Sequence, residues 1–162
     1  MAEHLEINNG SKTEKYAMLL PQIEAVVEGE TDLIARMANV ASMLHETFGF
    51  LWTGFYRVAP EGNELVLGPF QGPMACSRIR YGRGVCGTAW AEQRTLTVPD
   101  VEAFPGHIAC SSLSRSEVVV PILQHGTFIG VLDIDSTAYG TFDETDARFL
   151  EKIATLVAGQ TT

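Results

Sequence analysis

Three cysteines, Cys76, Cys86 and Cys110, fall in one stretch of the chain with the spacing C-x9-C-x23-C. An odd number of thiols does not make a closed disulfide framework. Three thiols do allow one to attack, one to resolve and one to stand in reserve, as in a reductase whose disulfide forms and breaks at every turnover. The competing reading is three small buried hydrophobes, the usual role of intracellular cysteines. A zinc site fits poorly because no closely spaced Cys pair is present, so no metal is expected.

The surroundings of the thiols sharpen this. Cys86 falls near the start of a short predicted helix, where the dipole lowers a thiol pKa. Cys110 lies in a predicted loop between His107 and Arg115, and nearby positive charge would stabilise its thiolate. A second constellation lies on the last predicted strand. Side chains alternate across a sheet, so Ile129, Val131, Asp133 and Asp135 share one face, and Phe128, Leu132 and Ile134 the other. Two carboxylates facing one way at the end of an apolar strand are either a wet edge or a receptor for a cation such as an ammonium group. Glu117 opens the preceding strand and joins them if the register allows; a crowded carboxyl of raised pKa could then act as a general acid. Trp52 and Tyr56 share a strand face and either wall a pocket for an apolar chain or fill the core.

These groups need a scaffold. Apolar residues at helical spacing predict a helix from Lys12 to Val27, with Pro21 as a kink or break, and a second one capped by Thr31. Strands follow over Phe50–Val58, Glu64–Gly68, Glu117–Leu123 and Thr127–Asp135, the last two joined by a hairpin at His125-Gly126. A short helix spans Arg83–Gln93. A final helix starts at Thr141, where Thr141 and Glu144 would form a capping box, and stops at Gly159. Residues 1–12 are polar and read as loose. Helices at both ends around antiparallel strands make one α+β domain over 1–162, with the terminal helices on one face of the sheet.

Bulk properties exclude other classes. With 11 basic and 20 acidic residues among 162, the formal charge is −9, which repels phosphate backbones and argues against a nucleic-acid partner. No apolar run is long enough for a membrane span. The start MAEHLEINNGSK has neither the basic nor the apolar region of a signal peptide, so a cytoplasmic protein is expected.

Taken together, the segments Gly82–Thr88 (GRGVCGT), Val98–Val101 (VPDV), Phe104–Cys110 (FPGHIAC), Ser114–Glu117 (SRSE) and Val131–Ser136 (VLDIDS) resemble the free methionine-(R)-sulfoxide reductases, enzymes built on a GAF domain. The resemblance runs from about Trp52 to the last helix and includes all three cysteines. It implies Cys110 as the nucleophile that takes the sulfoxide oxygen as a sulfenic acid. Cys76 is implied as the usual resolving thiol, and Cys86 as a third cysteine of less settled part. Glu117, Asp133 and Asp135 are implied to hold the substrate's ammonium group, and Trp52 and Tyr56 to line the methyl-thioether end. We choose Glu117 as the carboxyl that also assists loss of the sulfoxide oxygen.

The resemblance implies thioredoxin as electron donor, and no metal, flavin or haem. GAF domains often pair through their terminal helices, so a homodimer is expected. Two other readings stay open at this point. One is a stand-alone GAF sensor that binds a small ligand without consuming it. The other is a thiol sensor oxidised directly by peroxide.

Overall fold

The computed structural model describes residues 4–159. The elements run α1 (Lys12–Val27), α2 (Leu33–Phe48), β1 (Trp52–Val58), β2 (Glu64–Gln71), β3 (Arg78–Arg80), α3 (Gly84–Glu92), β4 (Leu96–Val98), a 3-10 turn (Val101–Ala103), β5 (Ser116–Gln124), β6 (Thr127–Ser136) and α4 (Glu144–Val157). The strands form one antiparallel sheet in the order β3-β2-β1-β6-β5-β4. The α+β architecture read from the sequence is the one observed.

Alternation along the central strands divides the molecule into two layers. Phe55, Val118, Val120, Ile122, Leu132 and Ile134 face the helices, where Tyr16, Leu19, Ile23, Met37, Leu44, Leu150 and Ile153 close over them. Each such side chain contributes roughly 1.5–3 kcal/mol on burial, which fixes the register of β1, β5 and β6. The opposite residues, Trp52, Tyr56, Val119 and Val131, pack with α3 through Val85, Cys86, Ala89 and Trp90. The terminal helices thus occupy one face, as expected, while α3 and the long loops cover the other.

Several boundaries differ from the sequence reading. Asp32, not Thr31, caps α2, its side chain accepting from the Ala35 N–H. The capping box of α4 is Asp143 with Asp146, and α4 starts at Glu144 rather than Thr141. Asp146 is drawn there by tertiary partners: it is buried and accepts from Lys12 Nζ at 2.6 Å and from the Tyr16 hydroxyl at 2.7 Å. Helix α1 continues through Pro21, because the buried Leu19 and Ile23 on either side outweigh the missing N–H. Strands β3 and β4, three residues each, are too short to carry a periodic signal.

The face assignment on β6 is corrected at one end. Phe128 lies on the α3 side, its ring stacked on Trp90 at 5.4 Å, and Ile129 packs toward the helices. The pairs Ile122↔Gly130 and Leu123↔Phe128 leave Ile129 as the extra residue of a bulge, which exchanges the two faces. The hairpin itself is as read, with His125 and Gly126 both at positive φ. Residues 4–11, read as loose, make contacts: Leu5 and Ile7 pack on the core, and Glu6 exchanges two hydrogen bonds with Gln22. Residues 1–3 lie outside the described residues.

Candidate active site

The pocket opens on the α3 side of the sheet. Its floor is made by the ends of β1, β5 and β6, and its rim by the segments around Met74–Cys76 and His107–Ser114. Seven of the eight residues singled out from the sequence line it, Trp52, Tyr56, Cys86, Cys110, Glu117, Asp133 and Asp135, and the eighth, Cys76, is bonded to Cys110.

Register brings the carboxylates together. Glu117 is paired with Asp135 across β5 and β6, and Asp133 is two residues along the same face of β6. Trp52 pairs with Asp135 from the other side, and Gly54 with Asp133. Glu117 and Asp133 are each 6% exposed and Asp135 is half-buried, so the wet-edge alternative does not hold for Asp133. Burial, followed by the charge of Asp133, pushes Glu117 and Asp135 well above the usual carboxylate range. Asp133 is also raised by burial, partly offset by its neighbours Glu117 and Cys86. Ser114, which the sequence reading did not single out, donates its hydroxyl to Asp135 Oδ1 at 2.9 Å. Its signal was present in the SRSE segment, but its partner depends on how the loop before β5 folds back. Among the described residues, Asp133 Oδ1 and the Trp52 indole N–H are buried without a hydrogen-bond partner. Such atoms are costly unless a ligand completes them.

Cys76 and Cys110 form a disulfide, with Cα atoms 5.5 Å apart. Cys110 is exposed and Cys76 half-buried. The Tyr56 hydroxyl donates to the Cys76 carbonyl at 2.8 Å, so the strand that forms the floor also anchors the rim. Burial and the nearby Asp133 raise the Tyr56 phenol, which stays a proton donor at ordinary pH. Arg115 donates to the carbonyls of Ser112 and Ser114 and so braces the loop that carries Cys110.

Cys86 departs from expectation. It does sit in the first turn of α3, but it is the free, buried cysteine. Burial and then the charges of Asp133 and Glu117 push its thiol well up. The helix dipole is outweighed, because desolvation and two close carboxylates both oppose a thiolate. One donor atom each from Cys86, Glu117 and Asp133 lies within 4.8 Å of the others.

Trp52 and Tyr56 stack with ring centroids 5.9 Å apart, and Phe70 also stacks on Trp52 at 5.2 Å. Gly54 lies between the two on the strand. A Cβ there would fall 2.4 Å from Phe70 Cβ and 2.7 Å from the Trp52 ring, so only glycine leaves the indole its place. An aromatic wall, a buried carboxyl floor and a redox-active rim together suit a small ligand with a cationic group at one end and an apolar, oxidisable group at the other.

Comparison with known proteins accords with this. The GAF domain family matches residues 32–160. The chain is 60% identical to GAF domain-containing protein A of Dictyostelium discoideum, covering 97% of this chain and 99% of that protein. It is 46% identical to the free methionine-R-sulfoxide reductase of Escherichia coli, covering 88% and 86%. The X-ray structure of free methionine-R-sulfoxide reductase from Neisseria meningitidis, in complex with its substrate, superposes with a TM-score of 0.95 at 53% identity, covering 98% of this chain and 95% of that one. The chain belongs to the GAF domain family and, within it, to the free methionine-(R)-sulfoxide reductases.

Proposed function

We propose that this chain reduces free L-methionine (R)-sulfoxide to L-methionine through its thiols. The observation that carries the reading is the Cys76–Cys110 disulfide at the rim of a pocket floored by three carboxyl groups. The thiolate of Cys110 attacks the sulfoxide sulfur; the oxygen passes to Cys110 as a sulfenic acid, and methionine leaves as the thioether. The thiol of Cys76 then displaces water from the sulfenic acid, giving the disulfide seen here. A dithiol donor, thioredoxin in this reading, takes up the oxidising equivalents and returns both cysteines to thiols.

Glu117, Asp133 and Asp135 bind the substrate ammonium group. In the free pocket their mutual repulsion and burial favour protonated carboxyls; a cation reverses that preference. The same residues account for a preference for the free amino acid. A residue inside a polypeptide offers an amide in place of the ammonium group and would leave buried carboxylates unpaired, at a cost of several kcal/mol. A sulfoxide oxygen leaves only when protonated or strongly hydrogen-bonded; one ammonium does not neutralise three carboxylates, so one carboxyl keeps its proton, and in this reading Glu117, pushed well above the usual carboxylate range, donates it. Trp52 and Tyr56 enclose the methyl-thioether end.

No described helix is long and apolar enough to cross a membrane. A cytoplasmic location and a homodimer joined by terminal helices belong to the same proposal.

The test is NADPH oxidation coupled through thioredoxin and its reductase, with the free R and S sulfoxides supplied separately beside a peptide containing the R-sulfoxide. Turnover on the free R-sulfoxide alone is expected. No turnover on any of them, with the thiols verified as reduced, would return the chain to the ligand-binding GAF proteins.

A further inference from the structure

The three donors at the base of the pocket, Cys86, Glu117 and Asp133, come from three separate elements, α3, β5 and β6. Nothing in their sequence spacing suggests a common ligand. They are all buried, and one atom from each lies within 4.8 Å of the other two. The edges of a tetrahedral zinc site are roughly 3.5 Å, given bond lengths of about 2.0–2.3 Å to oxygen and sulfur. Small side-chain rotations close the difference. A second feature of the same cluster points to a ligand: Asp133 Oδ1 is buried with no hydrogen-bond partner.

We propose that Cys86, Glu117 and Asp133 form a binding site for one thiophilic divalent cation, Zn²⁺ or Cd²⁺, which occupies the base of the pocket in the disulfide form of the chain. A borderline-soft ion suits one thiolate with two carboxylates, whereas Mg²⁺ and Ca²⁺ prefer oxygen alone. Binding releases to solvent the Cys86 thiol proton and the protons that the two buried carboxyls hold, in exchange for sulfur–metal and oxygen–metal bonds, and no electron moves. The cation takes the place of those protons and compensates the charge of the two carboxylates, which burial by itself disfavours. A fourth ligand comes from water in the open part of the pocket.

The ion would lie where the ammonium group is placed in the reductase reading, so metal and substrate exclude one another. That consequence, unlike the metal site itself, rests on the reductase reading. It would make the enzyme sensitive to free zinc or cadmium at a site other than the catalytic disulfide.

The disulfide form makes the test selective, because Cys86 is then the chain's one thiol. Cadmium is titrated into the oxidised protein and the ultraviolet thiolate-to-cadmium charge-transfer band is followed. One equivalent of band is expected, absent in Cys86→Ser. In Asp133→Asn, with thermal unfolding as the folding control, the affinity should fall about tenfold or more. No band at millimolar cadmium, or unchanged affinity in folded Asp133→Asn, would overturn the site. The titration is repeated with saturating L-methionine. A weakened cadmium affinity supports the shared position. An intact band that methionine leaves unmoved would keep the metal site and count against the ammonium-binding reading instead.

Discussion

Glu117 and Asp135 are direct cross-strand partners on β5 and β6 and face the same pocket. Like charges in that relation destabilise a sheet, and burial makes the conflict worse. In the proposed function a substrate ammonium group resolves it. Asp135→Asn should therefore raise KM for free methionine sulfoxide roughly 10- to 100-fold, equivalent to about 1.4–2.8 kcal/mol. Steady-state kinetics with the thioredoxin-coupled assay measures this; unchanged KM and kcat would remove Asp135 from substrate binding.

The same pair sets a pH dependence of stability. In the folded, ligand-free chain Glu117 is held well above its ordinary range by burial and by Asp133 and Asp135. The folded state then binds more protons than the unfolded one, so its stability is greatest below the unfolded carboxyl pKa and falls as pH rises toward the raised folded value. Glu117→Gln removes this loss. Its Tm should exceed that of the parent by roughly 2–8 °C at pH 8, for about 1–2 kcal/mol, and the gap should close near pH 4. Parallel Tm–pH curves for the two proteins would contradict the assignment.

Cys76→Ser separates the first chemical step from the second. With its partner gone, Cys110 should release about one methionine per enzyme and then stop as a sulfenic acid, trapped by a dimedone-type reagent. Sustained thioredoxin-driven turnover in this variant would shift the resolving role to Cys86.

Gly54→Ala tests the aromatic wall without touching a polar group. The added methyl collides with Phe70 and the Trp52 ring, so the indole must tilt. Given the sensitivity of reactions to small misplacements, kcat/KM should drop about tenfold or more, with a shifted tryptophan emission. Full activity with unchanged emission would show that Trp52 does not need this seat.

Far from the pocket, Asp146 joins α4 to α1. Its carboxylate accepts from Lys12 Nζ and the Tyr16 hydroxyl, and also from the Asp143 backbone N–H at 2.9 Å. Burial alone would lower the Lys12 pKa, but Asp146 more than restores it and the ammonium is held charged. Asp146→Ala strands these partners and should cost about 2–4 kcal/mol in urea unfolding. A loss below half a kcal/mol would mean that water replaces the carboxylate.

What the sequence determined by itself was local or carried by strong patterns. The span of α1, the two-residue hairpin at His125-Gly126 and the shared face of Asp133 and Asp135 follow from helical spacing, turn chemistry and strand alternation. The cysteine and carboxylate motifs also identified the family. The tertiary structure decided whatever depends on one strand's position against another, or on burial. Only the β5–β6 register places Glu117 opposite Asp135, and only the bulge at Ile129 sends Phe128 to the far face. The cap falls at Asp143 rather than Thr141, with its partner Asp146 held by the distant Lys12 and Tyr16. Cys86 shows the difference most plainly. Its position at a helix start predicted a lowered thiol pKa, yet burial beside Asp133 and Glu117 raises it. A helix dipole is local and legible in sequence; desolvation and the charges of other strands exist only once the chain has folded.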